Sequence, residues 1–138
     1  MIQERILVCD DDDMTRAIIG IALESTGEFV ATLCHSGAEA LQQYQLKGAD
    51  LIILDVHMPG LDGPQVLQQL MSGPVPLQTP VIFLSAKDDP AEIQQLRNLG
   101  VVDVLQKPFD IAEFPNRIHQ IINKHKVTIL PGNRSAHD

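Results

Sequence analysis

Short apolar runs recur along the chain, and each is followed by a segment whose apolar residues recur at helical spacing. Runs rich in β-branched residues are typical of strands buried on both faces, and their alternation with helices predicts a parallel sheet covered by helices. The predicted strands are 6–9, 29–34, 51–54, 81–84 and 101–105. This pattern predicts an α/β fold with a doubly wound, five-stranded parallel sheet and five helices.

Two of the predicted helices carry a clear apolar stripe. The first is predicted over 14–25, with Ile18, Ile21 and Ala22 on one side. The fifth is predicted to begin near Asp110, and its apolar stripe is Ile118, Ile121 and Ile122. The second, third and fourth helices are predicted to begin at Ser36, Pro64 and Asp89, where a capping residue or a first-turn proline favours a helix start.

The composition is that of one globular domain with an acidic surface. The chain has 138 residues, of which 44% are hydrophobic, and a net charge of −8. Residues 1–64 hold 11 acidic residues and 3 Lys/Arg, whereas residues 65–138 hold 7 of each. Because phosphate neutralisation requires clustered Lys and Arg, we expect no direct binding of nucleic acid.

The sequence also argues against export and membrane insertion. No apolar run approaches the roughly 20 residues of a spanning helix, and the N-terminus lacks a basic segment followed by an apolar one. Cys9 and Cys34 lie inside predicted strands, without the spacing of a metal site. We therefore expect two buried free thiols and a cytoplasmic location.

Polar residues follow four of the predicted strands at the point where each strand ends. Asp10 and Asp11 follow the first strand and Asp55 follows the third, while Ser85 and Lys107 follow the fourth and fifth. Doubly wound sheets bind ligands beyond the carboxyl ends of their strands. We therefore expect three carboxylates, one hydroxyl and one ammonium group to meet in a single crevice.

Such a set of side chains suits phosphoryl chemistry at a metal ion. Carboxylates held close together must retain protons or share a cation, and Mg²⁺ prefers oxygen ligands with positions left open for phosphate. Lys107 could pair with a phosphoryl oxygen, and Ser85 could donate a hydrogen bond to another. Asp55, at the end of a buried strand, is placed to act as a carboxylate nucleophile that forms an acyl phosphate.

Four linked motifs then give a resemblance to a known family. They are Ile6-Leu7-Val8-Cys9-Asp10-Asp11 with Arg16, Leu54-Asp55-Val56-His57-Met58-Pro59-Gly60-Leu61-Asp62-Gly63, Leu84-Ser85-Ala86 and Lys107-Pro108-Phe109. Together, in this order and at these intervals, they resemble the receiver domain of two-component response regulators over about residues 4–125. The resemblance implies a flavodoxin-like (CheY-like) fold with strand order 2-1-3-4-5.

The resemblance also implies a role for each site residue. Asp55 would accept a phosphoryl group from a phosphohistidine on a sensor kinase or a phosphotransfer protein, and Ser85 and Lys107 would contact that group. Asp10, Asp11, Asp55 and the backbone carbonyl of His57 would hold Mg²⁺. The Lys107–Pro108 peptide bond is expected to be cis, as is usual in the family.

One departure concerns how such a domain signals. Family members commonly carry Tyr or Phe three residues before the lysine, and that position is Val104 here. A valine cannot signal by a large rotamer change, so output would travel through the loops after the third and fourth strands or through dimerisation. The family's usual contact face lies on the fourth helix, fifth strand and fifth helix, where Val102 or Val104 would serve.

The resulting hypothesis is a signalling switch that catalyses only its own phosphorylation and dephosphorylation. Its expected partners are a sensor histidine kinase or phosphotransfer protein and a downstream protein or effector domain, and it would be a monomer or a phosphorylation-linked dimer. We predict a receiver domain at 1–125 and a flexible tail or linker at 126–138. Two alternatives stay open: an interaction module that works without phosphorylation, and a Mg²⁺-dependent aspartyl-phosphate phosphatase, which would want an acid where His57 stands.

Overall fold

The structure, a computed structural model, describes residues 3–73 and 77–129. Strands and helices alternate through this part of the chain, as the apolar pattern predicts. The elements are β1 (Glu4–Cys9), α1 (Asp13–Glu24), β2 (Phe29–Cys34), α2 (Gly37–Lys47), β3 (Leu51–Asp55), α3 (Gly63–Met71), β4 (Val81–Ser85), α4 (Pro90–Arg97), β5 (Asp103–Gln106) and α5 (Phe114–Ile129).

The five strands form one parallel sheet in the order β2-β1-β3-β4-β5, which confirms the predicted fold class and strand order. The chain moves from β1 outward to β2, and then returns to place β3 on the other side of β1. The strand order therefore reverses between β1 and β3. In sheets of this type a crevice opens at that point, beyond the carboxyl ends of the strands.

Helices cover both faces of the sheet. Buried residues of α2, α3 and α4 pack against one face, and buried residues of α1 and α5 pack against the other. The sheet's own core positions come mainly from β1, β3 and β4, whose side chains are buried on both faces except for Glu4 and Arg5 at the start of β1. This double burial explains why these strands appear in the sequence as continuous apolar runs.

The buried side of α1 differs from its predicted apolar side. Ile19 and Leu23 are fully buried against the sheet, whereas Ile21 is 71% exposed and Ile18 is 44% exposed. Both sets of residues fit a helical spacing, so the pattern alone does not select between them. Ile18 and Ile21 of the predicted apolar side are therefore exposed and Ala22 is only partly buried, because α1 packs on β1 and β2 through the other set.

The last strand and the last helix both begin later than predicted. Strand β5 begins at Asp103, although the Val102 amide already donates to the Val81 carbonyl at 2.9 Å. Helix α5 begins at Phe114, because the residues after Asp110 form a turn in which the Ala112 amide donates to the Asp110 carboxylate. Its predicted core residues Ile118 and Ile122 are buried and Ile121 is partly buried.

The other helix starts lie close to their predicted positions. Ser36 caps α2 by accepting the Glu39 amide, and Asp89 caps α4 by accepting the Ala91 amide. Asp62 caps α3 in a reciprocal capping box with Gln65, so α3 begins one residue before the predicted Pro64. Within the described residues, none of the helices has both the length and the apolar character needed to span a bilayer.

The predicted tail covers 126–138: residues 126–129 belong to α5, residues 130–138 lie outside the described residues, and the domain boundary stays a prediction. Helix α5 continues to Ile129. Cys9 and Cys34 are free and buried, as predicted. They are paired in register on β1 and β2, and burial raises the pKa of each thiol to about 12.

Candidate functional site

The carboxyl ends of four strands carry the polar residues that the sequence singled out. Asp55 and Ser85 are the last residues of β3 and β4, Asp10 and Asp11 directly follow β1, and Lys107 directly follows β5. Because β1 and β3 are neighbours at the reversal of strand order, the carboxylates of Asp10 and Asp11 lie on one side of the crevice and that of Asp55 lies on the other. A carboxylate oxygen from each of the three lies within 4.8 Å of the others.

Lys107 bridges two of these carboxylates. Its Nζ atom lies 2.8 Å from Asp10 Oδ2 and 3.3 Å from Asp55 Oδ1. Asp10 and Asp55 are both buried, so the lysine partly balances negative charge that would otherwise be costly to bury. The Lys107–Pro108 peptide bond is cis, as predicted.

The crevice strongly perturbs the acid–base properties of Asp55. Burial, followed by the charge of Asp10, raises the pKa of Asp55 from 3.8 to about 7, although the charge and hydrogen bond of Lys107 act in the opposite direction. For Lys107, burial acts to lower the pKa, but the hydrogen bond to Asp10 and the charge of Asp55 outweigh it and the pKa lies above 10.5. The positive charge of Lys107 therefore does not fully offset the cost of ionising Asp55, and the ionised carboxylate is suited to bind a further cation.

Asp10 is held rigidly, whereas Asp11 faces solvent. Asp10 Oδ1 accepts the Asp12 amide at 2.9 Å while Oδ2 accepts Lys107 Nζ, so both oxygens of this buried carboxylate have partners. Asp11 is exposed at the mouth of the crevice. Oxygen donors in this arrangement fit Mg²⁺, which binds through a few carboxylates and keeps open positions for water or phosphate. The residues present can thus hold the metal that the sequence predicts.

Ser85 is fully buried at the end of β4, and its hydroxyl contacts the following loop. Its Oγ accepts the Lys87 amide at 3.2 Å and lies 3.4 Å from the Lys87 carbonyl, which also accepts Gln106 Nε2 at 3.1 Å. In register, Asp55 pairs with Leu84, the residue before Ser85. The hydroxyl therefore lies on the strand next to the one that carries Asp55, and it is hydrogen-bonded to the loop between β4 and α4.

The side chain of His57 points to a contact that the sequence did not reveal. It is half-exposed, and its Nε2 lies 3.6 Å from Glu92 on α4, which also lies 3.9 Å from Lys87 Nζ. The loop after β3 thus meets α4 through the contact between the His57 and Glu92 side chains. No sequence spacing links residues so far apart, so only the fold could identify this contact.

The sequence did not reveal the role of Gly63 in packing against the strand end that carries Asp55. Its sequence neighbourhood indicates only a turn, but Gly63 is the first residue of α3 and packs directly behind the end of β3. A Cβ atom at this position would lie 2.7 Å from the Asp55 carbonyl oxygen and 3.0 Å from Val56 Cα. Only glycine lets α3 approach the end of β3 this closely. A glycine directly after a helix cap was the available sign in the sequence.

Val104 does not belong to a contact surface. It is 5% exposed and packs in the core beneath α4, whereas Val102 is 44% exposed. The expectation that Val104 could serve a contact face is therefore wrong, because β5 turns that side chain inward. Buried Asp103 beside it is paired with Arg97 and Arg117, which links α4, β5 and α5 on this side of the molecule.

Comparison with known proteins agrees with this geometry. The family model described as "Response regulator receiver domain" matches residues 6–119. The transcriptional activator protein IrlR of Burkholderia pseudomallei is 37% identical over 120 residues, which are 87% of this chain and 51% of that protein. The response regulator MprA of Mycobacterium ulcerans is 36% identical over 123 residues, which are 89% of this chain and 52% of that protein. The chain thus spans about half the length of these curated relatives.

Solved structures show the same architecture. The receiver domain of the Francisella response regulator 1452 has a TM-score of 0.80 and 33% identity, covering 88% of this chain and 98% of that one. The signal receiver domain of a signal transduction histidine kinase from Syntrophus aciditrophicus has a TM-score of 0.77 and 27% identity, covering 88% and 91%. Both similarities extend over nearly all of the described elements.

Proposed function

The chain belongs to the response regulator receiver domain family, and from this membership we propose that it is a phosphoryl-accepting switch with Asp55 as the acceptor. The observation that carries the proposal is the meeting of buried Asp55 with Asp10, Asp11 and Lys107 in one crevice. The aligned segment covers about half of the transcriptional activator protein IrlR and about half of the response regulator MprA. The input we propose is a phosphohistidine on a sensor kinase or phosphotransfer protein.

In the proposed reaction, a carboxylate oxygen of Asp55 attacks the phosphorus atom of the phosphohistidine. The new O–P bond forms as the P–N bond breaks, and the imidazole nitrogen keeps that electron pair and later takes a proton from solvent. Asp55 must be ionised to attack. Lys107, 3.3 Å from its Oδ1, favours that form and remains in place to pair with a phosphoryl oxygen afterwards.

Asp10, Asp11, Asp55 and the backbone carbonyl of His57 are the proposed ligands of a Mg²⁺ ion. When bound, Mg²⁺ would supply positive charge that offsets the phosphoryl oxygens and the clustered carboxylates. Asp10 is fixed by its two hydrogen bonds, and exposed Asp11 closes the site from the solvent side. The metal and its ligands are supported by the spacing of the three carboxylates.

Output is proposed to pass through the loop after β4. The Ser85 hydroxyl is engaged with Lys87, and a move toward the phosphoryl group would release that loop. Because Val104 stands where the family commonly has an aromatic residue, the loops after β3 and β4, or dimerisation, carry the signal to a downstream protein or effector domain.

Intact-mass spectrometry after incubation with Mg²⁺ and acetyl phosphate tests the proposal. The wild type should gain one phosphoryl group, and Asp55→Asn should gain none. Asp88→Asn, which removes an exposed acid outside the crevice, is the matched control and should behave as the wild type. No gain by a wild-type protein that binds Mg²⁺ would contradict the proposal and favour an interaction module that works without phosphorylation. Turnover of free phosphoesters, which we do not expect, would instead indicate a phosphatase.

A further inference from the structure

Arg16 lies outside the predicted set of site residues, but its side chain is built into the loop that carries the first two carboxylates. It projects from the first turns of α1 and is only 17% exposed. Its Nη1 atom donates to the backbone carbonyl of Asp10 at 2.8 Å, and its Nη2 atom lies 2.5 Å from Asp13 Oδ1. One guanidinium group thus binds the Asp10 carbonyl in the loop and the Asp13 carboxylate at the start of α1.

The carbonyl that Arg16 binds belongs to the peptide unit joining Asp10 to Asp11. Because a peptide unit is planar, fixing its carbonyl oxygen also fixes the direction in which the chain enters Asp11. The Asp10 side chain is already held by the Asp12 amide and by Lys107. Asp11 is exposed, so burial contributes little to the direction of its carboxylate, and the Asp10–Asp11 peptide unit sets the direction in which its side chain leaves the backbone.

We propose that Arg16 is a positioning residue for Mg²⁺ binding. Its guanidinium group acts through the Asp10–Asp11 peptide unit. This inference rests on the proposed function, since it concerns the same metal site. Groups that orient metal ligands from behind commonly change metal affinity 10- to 100-fold when they are removed. Arginine suits this task because its planar guanidinium group can donate to two acceptors at once. A lysine ammonium group loses more side-chain conformational entropy for each hydrogen bond that it forms.

The sign of the effect separates positioning from simple charge. A positive guanidinium near the carboxylates repels a divalent cation, so removing only its charge should tighten Mg²⁺ binding. Loss of positioning should weaken binding instead, because the Asp11 carboxylate would have to be ordered when the ion binds. The two roles of Arg16 therefore predict opposite shifts of the Kd.

The experiment is isothermal titration calorimetry with MgCl₂ on the wild type, Arg16→Met and Arg16→Lys. Methionine keeps an apolar stem without charge, and lysine keeps the charge without the planar guanidinium group. Arg5→Met is the matched control, because Arg5 also donates to a backbone carbonyl at 2.8 Å, that of Lys47, at the opposite end of β1. Urea unfolding of each variant verifies that all are folded at the titration temperature.

We expect Arg16→Met to raise the Kd for Mg²⁺ by about 10-fold or more, Arg16→Lys to raise it by a smaller factor, and Arg5→Met to leave it unchanged. An unchanged or lower Kd for Arg16→Met overturns the inference while leaving the proposed function intact. If Arg16→Met does not fold, Arg16→Lys decides: a raised Kd supports the positioning role, and a wild-type Kd overturns it. A wild type that binds no Mg²⁺ would overturn both this inference and the proposed metal site.

Discussion

Replacing Asp55 with Asn should make the metal-free protein more stable at neutral and higher pH. Burial beside Asp10 raises the pKa of Asp55 to about 7. Because this folded-state pKa lies above the ordinary value, the folded protein binds the Asp55 proton more tightly than the unfolded chain does. The stability contributed by that proton is fully present below about pH 4 and is lost as the pH rises through about 7. Asparagine has a similar shape and no charge, so the variant avoids this loss.

The magnitude follows from the same values. Raising the pKa of an acid from 3.8 to about 7 corresponds to about 4 kcal/mol against the ionised form. The crevice is open to solvent at Asp11, and screening there weakens the repulsion between the carboxylates. We therefore expect Asp55→Asn to gain about 2 kcal/mol at about pH 8 and almost nothing at about pH 4.

Urea unfolding followed by far-ultraviolet circular dichroism, in the presence of EDTA, measures this difference. The control variant Asp88→Asn should match the wild type at each pH. Adding Mg²⁺ should stabilise the wild type more than Asp55→Asn, because binding to the folded state alone raises the free energy of unfolding. A gain that is equal at low and high pH, or a loss of stability at about pH 8, would show that the burial of an ionised Asp55 beside Asp10 is not the cause.

Three further predictions follow from packing. Gly63→Ala should slow phosphoryl uptake and cost roughly 1–3 kcal/mol of stability, because its Cβ would lie 2.7 Å from the Asp55 carbonyl; uptake at the wild-type rate, measured by intact mass, would contradict this. Ile19→Ala should cost about 2–5 kcal/mol in urea unfolding, whereas Ile21→Ala, at a 71% exposed position, should change stability by less than about 0.5 kcal/mol. Cys9 and Cys34 should resist a thiol reagent at about pH 8 in the native protein and react fully in urea, since burial raises both pKa values to about 12; rapid native labelling would refute their burial.

Much of the site was predictable because each of its residues is marked by local sequence. A polar residue directly after an apolar run identifies a strand end, and parallel strands place all their carboxyl ends on one edge. Asp55, Ser85 and Lys107 could therefore be assigned to one crevice without any distance. The helix caps Ser36 and Asp89 were equally local, since a cap bonds to an amide only two or three residues away.

The strand order needed more than local pattern. The alternation of strands and helices predicts a parallel sheet, but it does not say which strands are neighbours. The order 2-1-3-4-5 came from the family resemblance, and the structure confirms it. This order matters for function because it places the acids that follow β1 next to Asp55 at the end of β3.

The sequence by itself determined the sheet, its helices and the identity of the residues at its carboxyl edge, because these depend on the local alternation of apolar and polar positions. Tertiary structure decided which side of α1 is buried, since Ile19 and Ile21 fit a helical stripe equally well until the sheet selects one. It also decided the raised pKa of Asp55 and the hold of Arg16 on the Asp10 carbonyl. The raised pKa depends on the proximity of strands that are distant in sequence. The Arg16 contact depends on the direction in which α1 leaves the sheet. Neither is encoded in the spacing of residues.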